Sequence, residues 1–263
     1  MAEPRRRRLL AGLAALMAGA GPARAQPSAP VRIPALRRLR AGIDLEGTAT
    51  AYRDPANGAG GMAVEVGGLI ADGLGVPLDL VPTAATTAVA DLRAGRFDLL
   101  LNAPPLTIEV ARELLYADPY AALELAVIAP RPLPLPSIAA LRGRRVAAQA
   151  GPAMRLLPSR LPVDQMELVA VPDLPFLAAA LADRMVEAAI VTSPVATRIA
   201  TLHPAVEVKL TLGIVWLAPA CRFGDHDLLR AVNTMLYIAR QEGLLQLLHQ
   251  AAYERPLPQL PFF

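Results

Sequence analysis

Residues 91–120 read DLRAGRFDLLLNAPPLTIEVARELLYADPY, and this stretch decides the fold. A helix carrying Leu92 is expected to end near Gly95. Phe97-Asp98-Leu99-Leu100-Leu101 is too short for a helix and too continuously apolar for a half-exposed strand. It predicts a strand covered on both faces. Asn102-Ala103-Pro104-Pro105 must turn the backbone, because each proline removes an amide donor and restricts the residue before it. Thr107, followed by Glu109 and Glu113, supplies an oxygen cap and early acidic residues for a new short helix. A loop between the carboxyl end of a strand and a helix start is where α/β sheets place ligands.

The same residues resemble a family pattern. Amino-acid-type extracellular solute-binding proteins (family 3, type II periplasmic binding fold) carry L-x-x-G-x-x-D, a strand, T-x-E-R and F-S-x-P-Y. Here Leu92, Gly95 and Asp98 are followed by Thr107 and Glu109, then by Tyr116-Ala117 and Pro119-Tyr120, in matching spacing. One position departs: the family arginine is replaced by Val110.

Outward from this stretch the chain alternates strand and helix. Leu39–Ile43 reads as a first strand ending at Asp44, and 46–61 as an irregular loop. A helix runs from Gly61-Met62 through Leu74 and is stopped by Gly75 and Pro77. Leu78–Val81 is a strand and Thr86–Arg93 a helix, giving a βαβαβ unit and hence a parallel sheet. Leu123–Ala129 is expected to cross to a second lobe. There Ser137–Leu141 is a short helix, Arg145–Ala148 a strand before Gln149-Ala150-Gly151-Pro152, and Glu167–Val171 another strand. A helix over Leu174–Arg184, a strand over Glu187–Val191 and a helix from Thr192-Ser193-Pro194 to Ala200 complete that lobe. Leu212–Ala218 is the return crossing, and Asp225–Arg240 and Gly243–Ala251 are amphipathic helices packing back on the first lobe. The expected class is α/β: two Rossmann-like lobes joined by a two-strand hinge, with 36–124 plus 217–263 as lobe one and 125–216 as lobe two.

The start of the chain reads as an export signal, with twin-arginine or ordinary secretion both open. Arg5–Arg8 precede the apolar run Leu9–Met17, and Ala23-Arg24-Ala25 offers a small-x-small cleavage site. Residues 1–25 hold five arginines and one acid, a net of +4, whereas the whole chain is +3. The processed chain is therefore near −1, and the high isoelectric point is no argument for an anionic partner. Residues 26–35 read as a flexible arm. The expected location is the periplasm. Cys221 has no partner for an internal disulfide, and the preceding apolar run Ile214–Ala218 predicts a buried, inert thiol.

The resemblance implies a hinged cleft that closes on a small molecule. In the family an arginine forks onto the ligand's α-carboxylate, a hydroxyl after the lobe-two glycine assists, and an aspartate takes the amine, since buried charges must be paired. The aligned positions here are Val110, Pro152 and Thr192. Asp44, Met62, Asn102, Ala103, Pro105, Gln149, Gly151 and Ala153 complete the implied lining. Valine cannot hold a carboxylate, and proline offers neither hydroxyl nor amide donor. Arg53 and Arg155 are the available substitutes. Bland readings stand beside these: Asp44 as a turn residue, Gln149 and Thr192 as caps, Met62 as core.

His203, His226 and His249 lack metal-ligand spacing, and His226 between Asp225 and Asp227 reads as a solvated helix start. No nucleophile elbow, phosphate loop or dinucleotide fingerprint is present, nor a basic groove interleaved with aromatics. No cofactor, metal or nucleic acid is implied. The expectation is a monomeric binding protein for a small solute that is not a standard zwitterionic amino acid, delivering to an ABC permease. Two alternatives remain: an accessory or chaperone of a periplasmic quinoprotein-dehydrogenase system, and a cyclohexadienyl-dehydratase-like enzyme.

Overall fold

The computed structural model describes residues 32–45, 50–53, 56, 58–84, 86–149, 165–171 and 174–263. The expected export signal lies outside these residues, as do most of the arm and Gly151, Pro152, Ala153 and Arg155.

The first lobe is built on β1 (Leu39–Ile43), α1 (Met62–Leu74), β2 (Leu78–Pro82), α2 (Ala88–Arg93) and β3 (Leu99–Leu100), with β1 parallel to both β2 and β3. Regular β3 pairing is short, but Asp98 and Leu101 extend it by donating to the Arg40 and Gly42 carbonyls. Period-two alternation sends Leu99 and Leu101 into one core and Leu100 into another, which Phe97, two residues before the strand, also joins, so the strand is covered on both faces. Gly42 is required by this layering: a Cβ there would sit 2.4 Å from the Phe97 ring.

After the proline loop comes a single turn, α3 (Ile108–Ala111), and then β4 (Leu114–Tyr116). β4 was not expected, because three residues beside a helix start carry no usable periodicity. The chain then enters β5 (Ala121–Pro130), which belongs to the second sheet. In that lobe a 3-10 turn at Ile138–Leu141 precedes β6 (Arg145–Gln149), β7 (Glu167–Val171), α4 (Leu174–Ala182), β8 (Ala188–Thr192) and α5 (Ser193–Leu202). The strand order is β7-β6-β8-β5-β9. Its faces again bury alternating residues, Ala126 and Ile128 on one side and Val127 and Ala129 on the other.

β9 (Val206–Leu217) returns antiparallel to β5 along its whole length. The register slips between Leu125 and Ala126 and again between Val127 and Ile128. Gly213, opposite Leu125, has φ 128°, where a side chain would be strained, so the first slip is a bulge that only glycine accommodates easily. These two crossing strands are the hinge. Beyond it, β10 (Ala220–Arg222) inserts antiparallel between β3 and β4, giving the first sheet the order β2-β1-β3-β10-β4. α6 (His226–Gln241) and α7 (Leu244–Tyr253) then pack on α1, burying Leu228, Val232, Leu236, Leu245 and Tyr253 in the same core as Ile70 and Leu101. The end of the segment read as an arm is also anchored there: Ile33, in a 3-10 turn over Ile33–Ala35, packs against this core.

Candidate functional site

The opening stretch holds the first-lobe residues expected to line a cleft, and its foundation is an ion network centred on buried Asp98. Arg40 grips Asp98 with Nη2 at 2.6 Å and Nε at 3.0 Å, while Nη1 donates to the Gly95 carbonyl where α2 stops. Arg222, on the returning strand, lies 3.6 Å from Asp98 and 2.9 Å from Asp225, and donates to the Phe97 carbonyl at 2.8 Å. Asp98, Arg222 and Asp225 are 3%, 6% and 1% exposed. The leucine-glycine-aspartate motif is thus the point where β1, β3, β10 and the start of α6 are locked together. Asp225 corrects the sequence reading: it is a buried partner of Arg222 and not part of a solvated helix start, although His226 and Asp227 are exposed. The i, i+3 spacing of Arg222 and Asp225 was the available signal.

Above this foundation, Asn102 clasps the strand ends. Its Nδ2 donates to the Asp44 carbonyl at 2.7 Å, and its Oδ1 accepts from the Asp44 amide at 3.0 Å. Asn102 therefore holds β1 and β3 in register and places Asp44 and Ala103 side by side. Asp44 is 5% exposed and Ala103 9%. Pro104 and Pro105 are buried, and the Tyr116 hydroxyl donates to the Pro104 carbonyl at 2.7 Å, tying the loop to β4. Thr107 caps α3 by accepting from the Val110 amide at 3.4 Å. Hydrogen bonds from its own backbone amide and from the Thr107 hydroxyl hold the Glu109 carboxyl below its ordinary range.

Val110 is half-buried and packs with Leu100, Ala103, Leu114 and Tyr116. Met62, expected among the lining residues, is instead 2% exposed within the first-lobe core, because it opens α1 on the face that meets the sheet. Among Asp44, Asn102, Ala103, Pro104, Pro105 and Val110, Asp44 is the one ionisable group.

From the second lobe, Gln149 ends β6 and Thr192 ends β8, immediately before α5. The Thr192 hydroxyl is buried, makes no hydrogen bond and does not cap the helix it precedes. A buried hydroxyl without a partner is unfavourable unless something else satisfies it. The structure thus brings together Asp44, Asn102, Ala103, Pro105 and Val110 on one lobe.

No group of three or more metal-ligating side chains exists among the described residues. His249 is 3% exposed, with its ring nitrogens beside the Arg255 and Ala122 carbonyls, while His203 and His226 are exposed. Cys221 is fully buried and burial pushes its thiol up to about 12, so it is not a nucleophile. No described helix is long and apolar enough to cross a membrane.

The sequence pattern of the bacterial extracellular solute-binding proteins, family 3, matches residues 39–254. The chain belongs to this family. A search of curated protein sequences returns no match. Among solved structures, the solute receptor for L-cysteine of Neisseria gonorrhoeae is similar at 25% identity and a TM-score of 0.72, over 84% of this chain and 93% of that one. The amino acid ABC transporter substrate-binding protein AbpA of Streptococcus pneumoniae, bound to L-arginine, aligns at 22% identity and a TM-score of 0.72, over 86% and 99%. The ancestral amino acid-binding protein AncCDT-1, a precursor of cyclohexadienyl dehydratase, aligns at 23% identity and 0.72, over 82% and 96%. The two-lobed type II periplasmic binding fold is therefore established.

Proposed function

We propose that this protein is a non-catalytic periplasmic solute receptor that closes its lobes on a small organic molecule without the charge pair of a free amino acid, for delivery to an ABC permease. The observation that carries the reading is Val110. At the family's arginine position it is half-buried against the cluster of Leu100, Ala103 and Leu114 and itself offers no guanidinium to pair a carboxylate. Thr192 stands at the aspartate position and supplies a neutral hydroxyl in place of the amine's counter-charge. Leaving both ends of a zwitterion unpaired in a closed cleft would cost several kcal/mol. Asp44 then serves as a hydrogen-bond acceptor and Thr192 faces it from the second lobe; Gly151, Pro152 and Ala153, which the family spacing also implies, lie outside the described residues. The start of the chain fits a cleaved export signal.

Native mass spectrometry of the protein isolated from its own periplasm tests this. The expected result is a retained small mass that is not an amino acid; a retained standard amino acid would overturn it.

A second reading, an accessory that meets a periplasmic dehydrogenase through protein contact, draws on Leu106 and Ile108. These flank the Thr107 cap and are 41% and 70% exposed. Copurification with such an enzyme in place of a permease would favour it.

A further inference from the structure

The end of the chain reaches across the hinge. After α7, Glu254 takes φ 56° and the backbone reverses along the first lobe. Four contacts hold the segment there. The Leu257 amide donates to Gln246 Oε1 at 3.0 Å, Leu260 is 6% exposed, the Phe262 ring lies 4.4 Å from the Arg240 guanidinium, and the Phe263 amide donates to Asp118 Oδ1 at 2.9 Å. His249 fixes the reversal itself, with Nδ1 2.9 Å from the Arg255 carbonyl and Nε2 3.5 Å from the Ala122 carbonyl on β5.

From this anchored position the Arg255 side chain extends to the other lobe. Nη2 donates to Thr197 Oγ1 on α5 at 3.2 Å, and Nη1 lies 3.9 Å from Glu124 Oε2 on β5. The same Glu124 oxygen accepts from Ser193 Oγ at 3.3 Å, at the first residue of α5. Arg255 thus engages α5 twice, directly one turn in and through Glu124 at its start. Glu124 stands beside Leu125, which is paired with Gly213, at the edge of the bulged stretch of β5 and β9.

We propose that residues 254–263 form a cross-hinge strap: anchored on the first lobe, it holds α5 of the second lobe through Arg255 and favours the lobe angle seen here. Rotation about the β5–β9 bulge moves Thr197 relative to Arg255, and a hydrogen bond is lost once its atoms separate beyond about 3.5 Å. The strap therefore responds to movements of an ångström or two. Arg255 and Glu124 are each about half exposed, so the strap shifts the ratio of lobe arrangements by up to about fivefold and does not lock one of them.

Pulsed dipolar spectroscopy between nitroxides at Asp72→Cys on α1 and Asp183→Cys beyond α4 reads the lobe separation directly. Both sites are exposed, and native Cys221 is buried and does not take label. Arg255→Ala is expected to shift or broaden the distance distribution, with helix content and urea midpoint unchanged because the side chain is half exposed. Glu124→Ala combined with Thr197→Val removes the other ends of the same contacts and is expected to reproduce that distribution. Distributions that superimpose on the native one in both variants overturn the strap. A shift in Arg255→Ala alone also overturns it, since Arg255 would then act through other atoms. The measurement requires no solute, so its outcome is independent of what the cleft binds.

Discussion

Arg222 bears more of the architecture than any motif residue beside it. It is 6% exposed, faces Asp98 and Asp225, and bonds the Phe97 carbonyl, so it joins the last strand of the first sheet to the central one. Removing one member of a buried ionic cluster leaves the others desolvated and uncompensated. Arg222→Met should therefore lower unfolding stability by about 3–5 kcal/mol, read from urea denaturation. A loss below about 1 kcal/mol would mean that water reaches the carboxylates. Asp98 belonged to a recognisable spacing and was legible in the sequence. Asp225 reads as an ordinary solvated cap before an amphipathic helix, and the i, i+3 spacing from Arg222 is the one local sign of its buried pairing.

At the scale of elements, long alternating segments were readable and short inserted ones were not. β1 and β7 have the bounds their apolar runs suggest, α1 stops at Gly75 and α6 just before Gly243, while α7 runs two residues past the expected Ala251 to Tyr253. β4 and β10 are three residues each and owe their existence to pairing with one another, a non-local interaction with no local signature. Cys221 sits in β10 and was expected to be buried from the apolar run before it. Its pKa carries a consequence for pH. The folded thiol holds its proton up to about 12, whereas an unfolded one releases it near its ordinary value of about 8.5. Cys221 thus contributes stability that is fully present below the ordinary thiol range and is lost as pH rises towards about 12. Comparing urea midpoints across that window, Cys221→Ala should remove up to about 1.4 kcal/mol per pH unit of the alkaline slope. An identical slope in the variant would place the lost protons elsewhere, on Tyr120 and Tyr253, whose burial also raises their pKa.

For the whole molecule, two lobes on a bulged two-strand hinge make a machine for enclosing a small ligand, and the wall residues decide which. Of the residues that the family spacing implies for the first-lobe wall, Asp44, Ala103 and Pro105 follow the ends of β1 and β3, and Val110 lies in the single turn of α3. Asn102 is there too, but its amide is spent on the Asp44 backbone, a role that spacing alone does not reveal. Met62 was misplaced because a helix's first residue faces core or cleft according to a rotation that sequence does not specify. The central claim is that Val110 and Thr192 exclude free amino acids while the scaffold still binds a solute. Its most direct test is thermal unfolding in the presence of a panel of periplasmic metabolites at millimolar concentration, where a ligand at about 100 times its dissociation constant adds about 2.7 kcal/mol. The account predicts that a neutral or weakly charged solute raises the melting temperature by several degrees and that no standard L-amino acid does so. Strongest stabilisation by an L-amino acid would contradict it.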